Sequence, residues 1–278
     1  MSMLTPETFR ALLEMEQAAG SGMSVSELRR ELTATFPTGA RVLRRGSDGY
    51  PDAFEELRDP PRAVCALGDA GLLERQLRVS IVGSRDAAPE RCEMTELVAA
   101  NLAARGAVIV SGLAAGIDRA AHAGALSAWT NEGRPGRTIA VLGTPLSFPW
   151  PPENAELYGE ICASGLALSE APQAEGRRFD PEERARSLRR RNRLVAALGT
   201  GTLVMAARPG SSTLVEVEAA LELRRPVLIW HEAARAPWAE ELLARKLCDA
   251  DGRELVAVAA DAREVESLLS PWTRVWWL

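Results

Sequence analysis

With 278 residues and an apolar content of 46%, the chain can build one large α/β domain with a smaller appendage and bury a sizeable core. A net charge of −5 excludes an overall basic field for nucleic acid, so any anion site must be local. Four dispersed cysteines without a Cys-x-x-Cys pair, and only two histidines, argue against structural zinc and for a reducing, cytoplasmic compartment; no apolar run or leader pattern points to a membrane.

Residues 1–48 read as a module of short helices. Thr5-Pro6-Glu7 opens the first, with Phe9, Leu12, Leu13 and Met15 as its apolar face. Gly20-Ser21-Gly22 interrupts, and Ser24 to Leu32 resumes with Val25, Leu28 and Leu32. The amphipathic spacing is that of a packing module. A partner- or DNA-binding helix pair is the other reading, against which only two arginines lie in the second helix. Turn signals at Tyr50-Pro51 and Asp59-Pro60-Pro61 lead into a strand at 63–68, expected to add to the edge of a main sheet.

Residues 49–232 alternate strand and helix, the pattern of a parallel sheet. Nearly continuous apolar runs place strands at 79–82, 107–110, 138–142, 166–168, 202–206 and 227–230. Helices fill the gaps at roughly 89–105, 117–129, 153–164, 182–198 and 212–224. With right-handed crossovers this is a Rossmann-like, doubly wound, mostly parallel sheet whose ligands belong at the strand carboxyl ends. Residues 233–278 form an αβα extension, with a helix near 237–247, a strand near 254–258 and a helix near 261–269. That extension ends on Trp272, Trp276 and Trp277, which could pack on their own domain or seal a dimer.

Three glycine loops, beginning at Gly83, Gly112 and Gly143, emerge from strand carboxyl ends and predict one shared phosphate pocket. In the first, Gly83-Ser84-Arg85 sets amides, a hydroxyl and a forked cation side by side. In the second, Ser111 precedes Gly112 and Gly116, which allow close backbone approach at a helix start. Asp118 in that first turn reads equally as a helix cap or a ligand contact, and His122 lies within reach of it one turn on. For the pocket the favoured groups are backbone amides, Ser84, Arg85 and Ser111. Further on, Arg184, Arg186, Arg189, Arg190, Arg191 and Arg193 put six arginines in ten residues, offset only at the start by Glu182 and Glu183. A solvated helix face is the ordinary reading of such a run, but contact with a phosphate backbone fits better. Asn192 could meet a base edge or pin the loop. Stacking aromatics are scarce; Phe148, Trp150 and Phe179 are the candidates, with core packing as the alternative for each.

Together these residues resemble a known family. Gly83-Ser84-Arg85, the run Ser111-Gly112-Leu113-Ala114-Ala115-Gly116-Ile117-Asp118-Arg119-Ala120-Ala121-His122, and 138–143 are similar to the DprA/Smf (DNA-processing protein A) family. Pro152-Glu153-Asn154, Leu168-Ser169-Glu170 and Arg191-Asn192-Arg193-Leu194 continue the series in order, and Tyr50-Pro51 and Pro60-Pro61 match its lead-in. The resemblance covers roughly residues 50–230 and no winged helix is evident beyond it. It implies a Rossmann-like core that binds single-stranded DNA, forms a homodimer and hands the strand to the recombinase RecA in natural transformation, without metal or cofactor. The chain departs from the pattern at Ala115, where the family usually carries arginine, at Ala171-Pro172, at 187–190, at Ala206-Ala207 and at 209–212.

A second resemblance keeps an enzyme in view. Pro209-Gly210-Ser211-Ser212-Thr213-Leu214-Val215-Glu216 is similar to the signature of the "lonely guy" nucleotide phosphoribohydrolases, shortened by one residue and without the paired glycines. There, Glu216 and an upstream arginine would cleave an N-glycosidic bond. A nucleotide-sensing module without chemistry is the third reading. The arginine run favours DNA, with Gly83, Ser84, Arg85, Ser111, Gly112, Gly116, Asp118, Gly143 and 189–193 as the binding residues, none of them catalytic, and with Glu216 structural.

Overall fold

Alternation along the strands decides the architecture. Val79 and Ile81, Ile109, Leu203, Met205, Leu228 and Trp230 pack in one core; Val82, Val108, Val110, Ile139, Val141, Val204, Val227 and Ile229 pack in another. Both faces of the sheet are therefore apolar and both must be covered by helices. The computed structural model, which describes residues 4–20, 22–130, 133, 135–174 and 181–273, has this arrangement. Phe179 and the end of the tail, with Trp276 and Trp277, lie outside the described residues.

The strands are β1 (Arg41–Arg44), β2 (Ala63–Gly68), β3 (Arg78–Gly83), β4 (Val108–Ser111), β5 (Arg137–Leu142), β6 (Leu166–Ser169), β7 (Gly201–Ala206), β8 (Val227–Trp230) and β9 (Val256–Ala259). They form a single sheet in the order β1-β2-β6-β5-β4-β3-β7-β8-β9. All pairings from β6 to β9 are parallel, and β2 joins β6 antiparallel. The mostly parallel, Rossmann-like sheet is as the sequence predicts.

The stretch 1–48 is not wholly helical. β1 pairs with β2 antiparallel and takes the edge position expected of 63–68. The sheet thus draws strands from before residue 49 and after residue 232.

The helices are α1 (Pro6–Ala18), α2 (Val25–Thr35), α3 (Asp52–Glu55), α4 (Pro89–Ala104), α5 (Ile117–Ser127), α6 (Ala155–Ser164), α7 (Pro181–Leu198), α8 (Ser212–Glu222), α9 (Pro237–Ala244) and α10 (Ala262–Leu269). The first two are set by local chemistry. Thr5 caps α1 through the Thr8 amide, and Ser24 with Glu27 closes a capping box on α2. Glu16, fully buried, accepts from the Ala174 amide at 2.8 Å and ties α1 to the segment after β6. Residues of α7, α8 and α9 cover one face of the sheet; residues of α4, α5 and α10, then α1, α2 and α6, cover the other. No described helix is long and apolar enough to cross a membrane.

Strand order reverses between β3 and β7: β3 to β6 spread to one side, β7 to β9 to the other. Such a switch point opens a crevice at the strand carboxyl ends. Gly83-Ser84-Arg85 stands there, with the Ser84 amide donating to Ala206 O at 3.0 Å.

Candidate functional site: the carboxyl-end rim

The three glycine loops do meet on one rim, because β5, β4 and β3 are neighbours in the sheet. What occupies the space above each glycine is the protein itself. A Cβ on Gly83 would lie 2.6 Å from Ile117 Cγ1, one on Gly143 would lie 2.9 Å from Leu188 Cα, and one on Gly112 would lie 1.6 Å from a guanidinium nitrogen of Arg191. Gly116, at φ +71°, lets its loop close on the first, since a Cβ there would lie 2.5 Å from Ser84 O. Leu113, not Gly112, takes the other left-handed position of the loop, at φ 60°. These glycines are needed for close approach, and the approaching groups are side chains and backbone of this chain.

The anion held by the second loop is likewise its own. Asp118 is buried, and its carboxylate accepts from the Ala114 amide at 3.4 Å, with the Gly112 amide also directed to it. Burial raises its pKa, against the lowering by Arg191 and those amides. Ser111 is fully buried; its hydroxyl donates to Ile81 O at 2.7 Å and also faces Asp118, whose pKa it helps to lower.

His122 does not pair with Asp118. Its Nδ1 lies 2.7 Å from Thr138 Oγ1, which itself donates to Ile109 O at 2.8 Å, so the imidazole donates to threonine. Burial, and then the charge of Arg191, push its pKa down to about 3.

The arginine run of α7 is divided among four tasks. Arg191, 5% exposed, turns inward, donates to Val141 O at 2.8 Å and lies among Asp118, His122 and Glu216. Asn192 is buried and donates to Ser212 O at 3.1 Å, pinning α8 to α7. Arg193 forms a two-point pair with Glu170 at 3.0 and 2.8 Å. Arg190 pairs with Asp59 at 3.2 Å and lies 3.7 Å from Glu170. The acidic partners missing from the local sequence arrive from elsewhere in the fold. Arg189 is exposed, and among the described residues neither it nor Arg85 has an ion-pair partner. Arg186 sits 3.8 Å from Glu182, and Arg184 stacks 4.0 Å above the centroid of Trp150.

Two residues that sequence reasoning quoted without a role turn out to brace the rim. Asn154, 2% exposed, donates to Leu113 O at 2.9 Å and accepts from Arg119 at 3.0 Å. Glu170 anchors Arg193. Both belong to short motifs already singled out, Pro-Glu-Asn and Ser-Glu, and those motifs were the signal.

Glu216 is 6% exposed and faces the same buried cluster, with Oε1 lacking a hydrogen-bond partner. Burial raises its pKa well above the ordinary carboxyl value; Arg191 lowers it and Asp118 raises it further. The carboxyl lies within the buried cluster beneath the rim and not on its exposed surface. Incubation with adenosine and cytidine monophosphates should release no free base; release abolished by Glu216→Ala would restore the hydrolase reading.

Among the described residues, no group of three or more His, Cys, Asp or Glu side chains is placed to hold a metal ion. At the other end of the sheet a cleft of about 510 Å³ is lined by Tyr50, Arg78, Thr200, Arg225 and Trp272 among others. Its arginines hold the carboxyl end of α7: Arg78 donates to Leu198 O and Arg225 to Gly199 O.

A model of the family described as DNA recombination-mediator protein A matches residues 41–245, well over half of the chain. The chain belongs to the DprA/Smf family of DNA-processing proteins. It is 39% identical over 181 residues to Protein Smf of Synechocystis, covering 64% of this chain but only 42% of that protein. Among solved structures, DNA processing protein A of Helicobacter pylori, described for its single-stranded DNA binding mode, matches with a TM-score of 0.66 at 27% identity, over 84% of this chain and 97% of that one. DprA of Streptococcus pneumoniae matches with a TM-score of 0.68 at 26% identity, over 95% and 93%. The likeness to these two solved structures is one of fold, the mostly parallel α/β sheet described above.

Proposed function

We propose that the chain binds single-stranded DNA along the carboxyl-end rim, as a DprA-type mediator in the cytoplasm that protects the strand and loads RecA during transformation or recombination. The observation that carries the reading is Arg85, an exposed cation with no described ion-pair partner at the switch point of a fold shared with a protein described for binding single-stranded DNA. Arg85 fixes one phosphate and Arg189 adds a second positive position. Arg190, paired with Asp59, contributes less, and Arg191 acts from below as part of the framework. Gly83, Ser84, Gly112, Gly116 and Gly143 shape the surface that presents these cations. A homodimer and the transfer to RecA belong to the same proposal, supported by family membership; light scattering at micromolar concentration giving a monomer would remove the dimer.

Fluorescence anisotropy with a labelled oligothymidine across a salt series tests the DNA reading. Each phosphate contact on single-stranded DNA adds about −0.7 to the log–log salt slope. Arg85→Ala and Arg189→Ala should each flatten the slope by about 0.7, and the double variant by about 1.4. Arg85→Ala should also weaken binding roughly tenfold or more at every salt concentration, because it removes a charge-assisted hydrogen bond. Unchanged slope and affinity in the double variant would remove the rim from the DNA interface.

A further inference from the structure

The loop between β5 and α6 carries aromatic rings that the cation argument leaves unused. Phe148 sits in a tight turn, its amide donating to Pro145 O at 3.0 Å, and remains 49% exposed. Two residues on, the Trp150 ring is half-buried under the Arg184 guanidinium. The loop is pinned along its length. Leu188 packs over Gly143, the Leu146 amide donates to Gln173 Oε1 at 3.0 Å, and Tyr158 donates to Leu146 O at 2.8 Å. Asn154, just beyond, is fixed to the Gly112 loop, whose Gly116 abuts the backbone of Arg85. Contacts therefore run along one rim from Arg85 through the Gly116 loop to Asn154 and Arg119, and the Asn154 amide donates to Pro151 O at 3.1 Å, next in the chain to Trp150 under Arg184.

We infer that Phe148, with the Trp150–Arg184 pair beside it, is the shelf on which bases of the bound strand stack. The inference rests on the DNA-binding reading above and adds the base to the phosphate. Aromatic residues make up only 5% of this chain, and a large ring held out to water on a braced loop forgoes the burial its area would otherwise gain. Sequence-tolerant recognition of single strands needs such a ring next to cations, because every base offers a π-face. A guanidinium stacked on indole two residues further along the loop supplies a second flat, positively charged surface. Trp129, 67% exposed at the far end of α5, has no described neighbours of this kind and serves as the control.

The test compares an oligothymidine with an abasic phosphodiester chain of the same length, by anisotropy at fixed salt. Phe148→Ala should weaken oligothymidine binding roughly 5- to 100-fold, the range for loss of one stacked base, and leave abasic binding and the salt slope unchanged. Trp150→Ala should act in the same direction, Trp150→Phe should retain most of the affinity, and Trp129→Ala should change nothing. If both oligomers bind with parental affinity to the Phe148 and Trp150 variants, the shelf is refuted while the DNA reading stands. If the Phe148 variant loses both oligomers equally, the ring supports the loop and does not meet a base, which also refutes it. If the parent protein binds neither oligomer, the DNA reading itself fails.

Discussion

Replacing Arg191 with methionine should destabilise the protein by about 3–5 kcal/mol, the cost typical of leaving buried charge without its partner. Arg191 is the cation that lowers the pKa of both Asp118 and Glu216. Both carboxyls are buried, and Oε1 of Glu216 already lacks a hydrogen-bond partner. Removing the guanidinium also empties the space that Gly112 exists to provide and frees Val141 O from its donor. Two features separate this from ordinary loss of packing. The deficit should shrink as pH is lowered, because uncompensated carboxyls can take up protons. Asp118→Asn with Glu216→Gln should recover at least half of it in the Arg191→Met background, since neutral amides need no counter-charge. Urea unfolding of the four proteins at two pH values measures both, and a pH-independent deficit that the amide pair leaves unchanged would assign the effect to packing alone. The same outcome explains why the DNA contacts are proposed for Arg85 and Arg189. A cation held 5% exposed and donating to Val141 O reaches a phosphate only by leaving Asp118 and that carbonyl.

Most strands could be read from the sequence because each of the central ones is apolar on both faces, a signal that survives any neighbour. β1 could not, since Arg-Val-Leu-Arg is short, carries charge at both ends and has one buried residue. Its strand character comes from pairing with β2, which no local pattern records. The rim was legible in position and less so in use. A glycine reports that something approaches the backbone closely, and the signal is the same for a phosphate, Ile117, Leu188 or the Arg191 guanidinium. The arginine run misleads for a different reason. On a helix of 3.6 residues per turn, 184, 188, 191 and 195 share one face, so a run of cations must send one of its members inward. Periodicity alone could have separated Arg191 from Arg189. It could not have supplied Asp59 and Glu170, which reach the helix only through the fold.

The second large effect is on the dependence of stability on acid. His122 has an unfolded-state pKa near 6.5 and is held down to about 3 by burial and by Arg191. Between those values the unfolded chain binds one more proton than the folded chain, so stability falls as pH falls, by up to roughly 1.4 kcal/mol per pH unit. The contribution is fully present above about pH 6.5 and lost on the way down to about 3, on the order of 5 kcal/mol in all. Glu216 acts with the opposite sign. Its folded pKa is raised well above 4.5, so the folded chain keeps a proton that the unfolded chain has released. Its contribution is present below pH 4.5 and lost as pH rises through the folded value. His122→Asn, which can still donate to Thr138 Oγ1, should therefore lower stability at neutral pH yet remove about 1.4 kcal/mol per unit of the slope between roughly pH 4 and 6. Glu216→Gln should change the slope the other way, making it steeper above pH 4.5 and raising stability at neutral pH relative to acid. Unfolding free energies from urea titrations at unit steps between pH 4 and 8 give both slopes directly. A His122→Asn protein with the parental acid slope would mean that the imidazole takes up its proton in the folded state, and that Arg191 and burial do not exclude charge from this corner of the rim.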